Sequence, residues 1–318
     1  MKTICFWDNS LSERGTTIAV FDYAYYNQTI LKNKSIVLFD STRRDNNQQV
    51  IEKFQKHMEV IPVHNWSEVD PILLHKKADL FYIIKYGTPD HKLSKVVKTV
   101  VHSVFDCSPT NIHGDVYASI SPWVNGYQKG LPVVPHMVHL PMIPKEKNFR
   151  AYLNIPENAM VFGRHGGVEK FNIPYVCEIV CNAAKAFPHI YFLFVNTYTF
   201  CESLKNIIHL DKIIDLELKA AFINTCDAMI WGRDDGETFG LSIAEFSIMN
   251  KPVFANKDGK DKAYIHLLGE KAVWYNKDTL YSLLTTFDKK ESLDKDWNAY
   301  RDYNPENVMS TFKNVFID

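Results

Sequence analysis

Apolar and polar positions along the chain alternate between two kinds of segment. "KTICFWD", "KSIVLFD", "EVIPVHNW", "DLFYIIK" and "KVVKTVVHSVF" are short apolar runs that read as strands. "TTIAVFDYAYYN", "VIEKFQKHM" and "PILLHKKA" lie between them with helical spacing. The strand runs lack strict alternation, which predicts burial on both faces in a parallel sheet flanked by helices. Prolines at 132, 135, 141, 144 and 156 then interrupt the pattern. Proline at that density resists regular structure and predicts a linker.

Beyond the linker the theme repeats. "MVFGRHGG", "IYFLFVN", "IIHL", "DAMIWG" and "KPVFAN" read as strands; "NIPYVCEIVCNAAKAF", "DLELKAAFINTC" and "FGLSIAEFSIMN" read as helices. "NPENVMSTFKNVF" predicts a final helix capped by Asn304 with proline at its first position. The expected organisation is a first βα domain over 1–145, a second over 146–303, and a helix over 304–318 that packs back on the first.

Length and composition fit this picture. The chain has 318 residues, enough for about two domains, and 46% are hydrophobic, enough for real cores. A net charge of -1 argues against a nucleic-acid partner, which selects a basic face. No apolar run approaches the ~20 residues of a spanning helix, so integral membrane association is not expected. Six cysteines, at 5, 107, 177, 181, 201 and 226, form no disulfide framework and read as reduced thiols of a cytoplasmic protein.

The chemistry concentrates in "WGRDDGETFGLSIAEFSIMNKPVFA". A strand ends in a polar loop, and the loop opens a helix near Phe239. Ligands of parallel sheets bind where strands end and helices begin. A helix start offers free N–H groups and partial positive charge, which suit a diphosphate, and Gly240 lets a phosphate approach the backbone. Glu237 precedes the helix and Glu245 lies inside it, so carboxylates stand on either side. A nucleotide sugar has this layout, with ribose hydroxyls, a diphosphate and hexose hydroxyls. The bland alternative is a core helix with two solvated acids.

This stretch resembles the E-x7-E motif of retaining glycosyltransferases of the GT-B fold, family 4 in particular, and "NKPVFA" resembles the strand that follows it there. The resemblance implies two Rossmann-like domains facing across a cleft. It assigns the donor hexose to Glu237, the ribose to Glu245, and the diphosphate to the amides of Thr238, Phe239, Gly240 and Leu241. "VFGRHGGVEKF" resembles the first strand of the family's nucleotide domain, which gives Arg164 and Lys170 to the diphosphate. Guanidinium suits bidentate phosphate contact. Lys170 stands one residue beyond the usual spacing, and Arg233 competes as a source of charge. "ERGTTIAVFDYA" offers Gly15 where the family has a glycine-rich loop. "KTVVHSVFDCSPT" offers His102 at a strand end, with Phe105 in that place under a second alignment and a structural histidine as the alternative.

The implied reaction is retaining transfer of a hexose, from GDP-mannose or UDP-glucose, to a glycan acceptor. It needs no cofactor and no obligatory metal. The catalytic set is His102, Arg164 and Glu237. The brevity of the chain resembles glycosyltransferases of large DNA viruses. Three rivals stand beside this reading: another GT-B enzyme such as a sugar-nucleotide epimerase or a phosphorylase, a non-catalytic nucleotide-sugar module, and a dinucleotide oxidoreductase. The last would require G-x-G-x-x-G after an early strand, which is missing.

Overall fold

The computed structural model describes residues 1–318. The chain divides into two compact units, residues 1–137 with 302–318 and residues 138–301.

The first unit runs β1 (Thr3–Asp8), α1 (Gly15–Thr29), β2 (Lys34–Asp40), α2 (Gln48–Gln55), β3 (Glu59–Val63), α3 (Val69–His75), β4 (Leu80–Lys85), β5 (Thr99–Ser103) and β6 (Val116–Ser119). All pairings are parallel and the strand order is β3-β2-β1-β4-β5-β6. The order reverses between β1 and β4, the place where doubly wound sheets open a crevice at their carboxyl ends. Near-continuous apolar strands are what a sheet covered on both faces requires: every residue of β4 is buried.

The second unit runs β7 (Met160–Arg164), α4 (Pro174–Ala186), β8 (Ile190–Val195), β9 (Ile207–Leu210), α5 (Leu216–Thr225), β10 (Ala228–Ile230), β11 (Gly236–Glu237), α6 (Leu241–Ile248), β12 (Val253–Ala255), β13 (Asp261–Lys262), α7 (Ala263–Leu268), β14 (Val273–Trp274), α8 (Leu280–Thr286) and α9 (Lys289–Leu293). Its sheet has the order β14-β12-β10-β7-β8-β9, the first unit's order with the corresponding strands. β11 and β13 pair separately. The core gathers Phe162, Phe192, Phe194, Phe254 and Ile230 under Val176 and Val180 of α4. Gly163 in β7 is a packing glycine, since a Cβ there would collide with the Cys226 sulfur and the Phe246 ring.

The chain returns to the first unit with α10 (Pro305–Phe312), which continues as one π-type turn to Ile317. Asn304 caps it, accepting from the Asn307 amide at 2.9 Å, and Pro305 stands at the first position. Phe312 stacks on Tyr23 at 5.2 Å and lies tilted against Tyr82 at 5.5 Å, and Phe316 meets Tyr82 and His102 at 5.8 and 5.3 Å. Each buried phenylalanine contributes about 1.5–3 kcal/mol.

β6 goes unread in the sequence, as do α7, α8 and α9. β6 is only "VYAS", too short to stand out as an apolar run. No helix is long and apolar enough to cross a membrane.

Candidate functional site

In the second unit the loop after β10 is built by tight turns. Gly236 has φ +76° and pairs through β11 with Asp261, whose carbonyl leaves no room for a side chain. Gly240 has φ +86° and ends the loop at α6. Between them Phe239 is pinned: its carbonyl accepts from the Tyr300 hydroxyl at 2.8 Å, and the two rings meet edge to face at 5.4 Å. Thr238 and Leu241 are partly exposed on either side of Phe239 and Gly240. The first turn of α6 starts here, and a helix's first N–H groups lack intrahelical partners.

Glu237 hangs from this loop as a mostly buried carboxylate. Oε1 accepts from Trp231 Nε1 at 3.3 Å and Oε2 from Arg233 Nη1 at 3.1 Å. Burial raises its pKa above the ordinary carboxylate value, against the opposing pull of Arg233, the Trp231 hydrogen bond and Arg164. Arg233 also reaches Asp235 at 3.5 Å, while its Nε is buried with no acceptor. Lys170 donates to Asp235 at 2.7 Å at the surface.

Arg164 ends β7 with 4% exposure. Its guanidinium is held by neutral oxygens: the Asn196 carbonyl at 3.3 Å, the Thr197 hydroxyl, and the Gly167 carbonyl at 2.8 Å. Burial lowers its pKa to about 10, with Glu237 pulling it up and Arg233 down. It is therefore charged at neutral pH without a carboxylate bonded to it. A cation stabilised by backbone oxygens keeps its net charge available to an anion.

Glu245 lies one turn into α6 and is 5% exposed. Oε1 accepts from Lys219 Nζ of α5 at 2.8 Å. Oε2 lies 3.0 Å from His165 Nε2, off the line of a well-directed hydrogen bond. Burial alone would raise the Glu245 pKa; the Lys219 charge and then His165 outweigh it and bring the value down to about 2. Neither glutamate is thus a solvated surface acid. His165 itself is buried between Phe246, stacked at 5.7 Å, and Phe222, edge-on at 6.1 Å, and burial favours its neutral form.

Lys219, His165 and Trp231 are not singled out in the sequence reading. One signal for Lys219 was available: on α5 the buried positions are Lys219, Ala220, Ala221, Phe222, Ile223 and Thr225, while Leu218 is exposed. A lysine on the core stripe of a helix requires a buried counter-charge.

Gly15 and His102 belong to the first unit. Gly15 is the exposed first residue of α1. His102 corrects an expectation. It does not look out from a strand end: it is 0% exposed in β5, paired with Ile84 and Ala118 of the neighbouring strands. Nε2 donates to the Val134 carbonyl at 2.7 Å, so Nδ1 accepts from the Tyr82 hydroxyl at 2.7 Å. Burial lowers its pKa to about 4. These are the surroundings of a core histidine.

Solved structures share this fold over nearly the whole chain. A glycosyltransferase from Rickettsia africae matches with a TM-score of 0.67 at 14% identity, over 99% of this chain and 94% of that one. HepE of Anabaena, solved with UDP-glucose, matches with 0.65 at 16% identity, over 99% and 96%. The fold is GT-B. The same GT-B fold matches a putative UDP-N-acetylglucosamine 2-epimerase from Listeria monocytogenes, with 0.60 at 14% identity over 98% and 95%. No protein-family profile and no curated protein sequence matches the chain. Within this GT-B chain, the loop from Trp231 to Gly240, with Arg164 and α6, gathers cations, a helix start and two carboxylates in one unit.

Proposed function

We propose that the chain is a retaining glycosyltransferase of the family 4 type, moving a hexose from a nucleotide sugar to a glycan acceptor. The observation that carries this is Glu237: a carboxylate held by Arg233 and Trp231 immediately before a left-handed glycine and a helix start. That arrangement suits a donor whose hexose hydroxyls bond the carboxylate while its diphosphate meets the helix amides. UDP-glucose is the preferred donor in this reading, supported by the HepE complex, with GDP-mannose second.

Arg164, possessing charge without a bonded carboxylate, is assigned to the leaving diphosphate, with Lys170 and Arg233 in support. The leaving diphosphate takes the acceptor's proton in a front-face displacement, so no protein nucleophile is required. No divalent metal is needed in this scheme, and activity should survive excess chelator. A cytoplasmic location belongs to the same reading and is supported by six free cysteines.

The test separates hexose from nucleotide. Glu237→Ala should weaken UDP-glucose by roughly ten- to a hundredfold, the effect of losing ~1.5–3 kcal/mol of hydrogen bonding, and leave UDP unchanged. Calorimetric titration reads both. Equal affinities in mutant and wild type would sink the assignment. A sugar-nucleotide epimerase is the second reading, supported by the likeness to the Listeria protein. It predicts C2 inversion of UDP-N-acetylglucosamine without an acceptor, whereas a transferase makes an α-linked product only when an acceptor is present.

A further inference from the structure

The Glu245 carboxylate has internal partners that no ligand explains. A carboxylate offers about four lone-pair sites; Lys219 takes one on Oε1, and His165 Nε2 stands 3.0 Å from Oε2 without a directed hydrogen bond. Both partners approach from within the unit: Lys219 from α5 and His165 from the turn after β7, backed by Phe222 and Phe246. The lysine side chain is 8% exposed and the glutamate side chain 7%, so this is a buried ion pair. Such a pair is a costly way to gain stability, because desolvation offsets most of the attraction. It keeps a carboxylate charged and fixed where water is excluded.

We propose that Lys219 is the positioning residue of the nucleotide site, fixing Glu245 as an ionised acceptor whose remaining lone pairs take the two hydroxyls of a ribose. The proposal rests on the donor-site reading above and deepens it by naming what selects ribose over 2′-deoxyribose. His165 is the second support, an imidazole that confines the other carboxylate oxygen at 3.0 Å. The charged and titratable groups acting on Glu245 are Lys219 and His165, and Arg164 acts on His165 in turn. Lys219 contributes the strongest charge among them. Without it, burial is opposed by His165 alone and the carboxyl's pKa rises.

The experiment titrates the full chain calorimetrically with UDP, GDP and their 2′-deoxy analogues, from about pH 5.5 to about pH 8.5, around the range where a buried, unpaired carboxyl would titrate. The wild type should prefer a ribonucleotide by roughly tenfold, the worth of one hydrogen bond to a charged group, at every pH. Lys219→Met should lose that preference as pH falls, and Lys219→Arg should restore it. Lys219→Met combined with Glu245→Gln removes the buried charge altogether; it should fold even where the single variant does not, and show no preference at any pH.

A Lys219→Met protein with the wild-type preference and a flat pH profile would overturn the proposal. So would uniform weakening of ribo- and deoxyribonucleotides alike, which marks general loosening of the unit. If Lys219→Met does not fold, a double variant that keeps the ribose preference overturns the proposal equally. If the wild type binds neither UDP nor GDP, the donor-site reading falls and takes this inference with it.

Discussion

The two units share one strand order and differ in how they bury ionisable groups. In the first, buried imidazoles meet neutral partners: His102 lies between a tyrosine hydroxyl and a carbonyl, and His136 stands 3.3 Å from the Tyr23 hydroxyl. Even Asp8, 2% exposed at the end of β1, accepts a 2.6 Å bond from Thr17, with Arg14 farther off at 3.4 Å. In the second, the buried imidazole stands against a carboxylate, and carboxylates pair with Lys219 and Arg233. Lys85, buried at the end of β4 and paired with Asp90, is the first unit's exception; otherwise buried polarity fixes packing in one unit and holds charge in the other. Charge held out of water acts on a ligand more strongly than charge at the surface.

Acid should separate the units most sharply. His102 and His136 have folded pKa values of about 4 and about 3, below the usual 6.5. Both are neutral when folded and take protons when unfolded. Their contribution is intact above pH 6.5 and is lost as pH falls toward 4. Each costs the first unit about 1.4 kcal/mol per pH unit in that window, so roughly 3 kcal/mol or more at the bottom of it. Scanning calorimetry from pH 7 down should show the transition of the first unit moving to lower temperature ahead of the second. A second unit that softens first would reverse the comparison.

Next in size is His102→Ala. It removes two buried hydrogen bonds and leaves a cavity beside Tyr82 and Phe316, a cost of about 2–4 kcal/mol. Urea unfolding reads it. Unchanged stability with a collapse in turnover would return His102 to the catalytic set. Smallest is Lys170→Ala. Its pair with Asp235 is about 40% exposed on both sides, so stability should change by less than about 1 kcal/mol. A fall in UDP affinity at constant melting temperature would sharpen the picture by placing Lys170 on the phosphates; no change in either would leave Arg164 and Arg233 as the cations of that unit.

Much of the fold was readable because parallel strands buried on both faces must be apolar along their length. "DLFYIIK" and "IYFLFVN" announced β4 and β8 for that reason. The loop, glycine and helix around Glu237 were readable because turn chemistry is local. The burial of His102 was not legible because it is not local. It depends on β6, a four-residue strand, and on Val134, which lies well along the chain from it. Lys219 and His165 went unread for a related reason: lysine and histidine are ordinary surface residues until three elements converge on one carboxylate.

The return of residues 302–318 to the first unit sets an order of events during synthesis. All of the second unit, through Arg301, is synthesised before α10. Domains of a nascent chain usually complete in sequence order from the N-terminus. Here the first unit waits: until Phe312 and Phe316 arrive, one side of Tyr23, Tyr82 and His102 has no cover. The half of the protein made first is therefore the half finished last, and its open aromatic face is the surface a chaperone would meet on the unfinished chain.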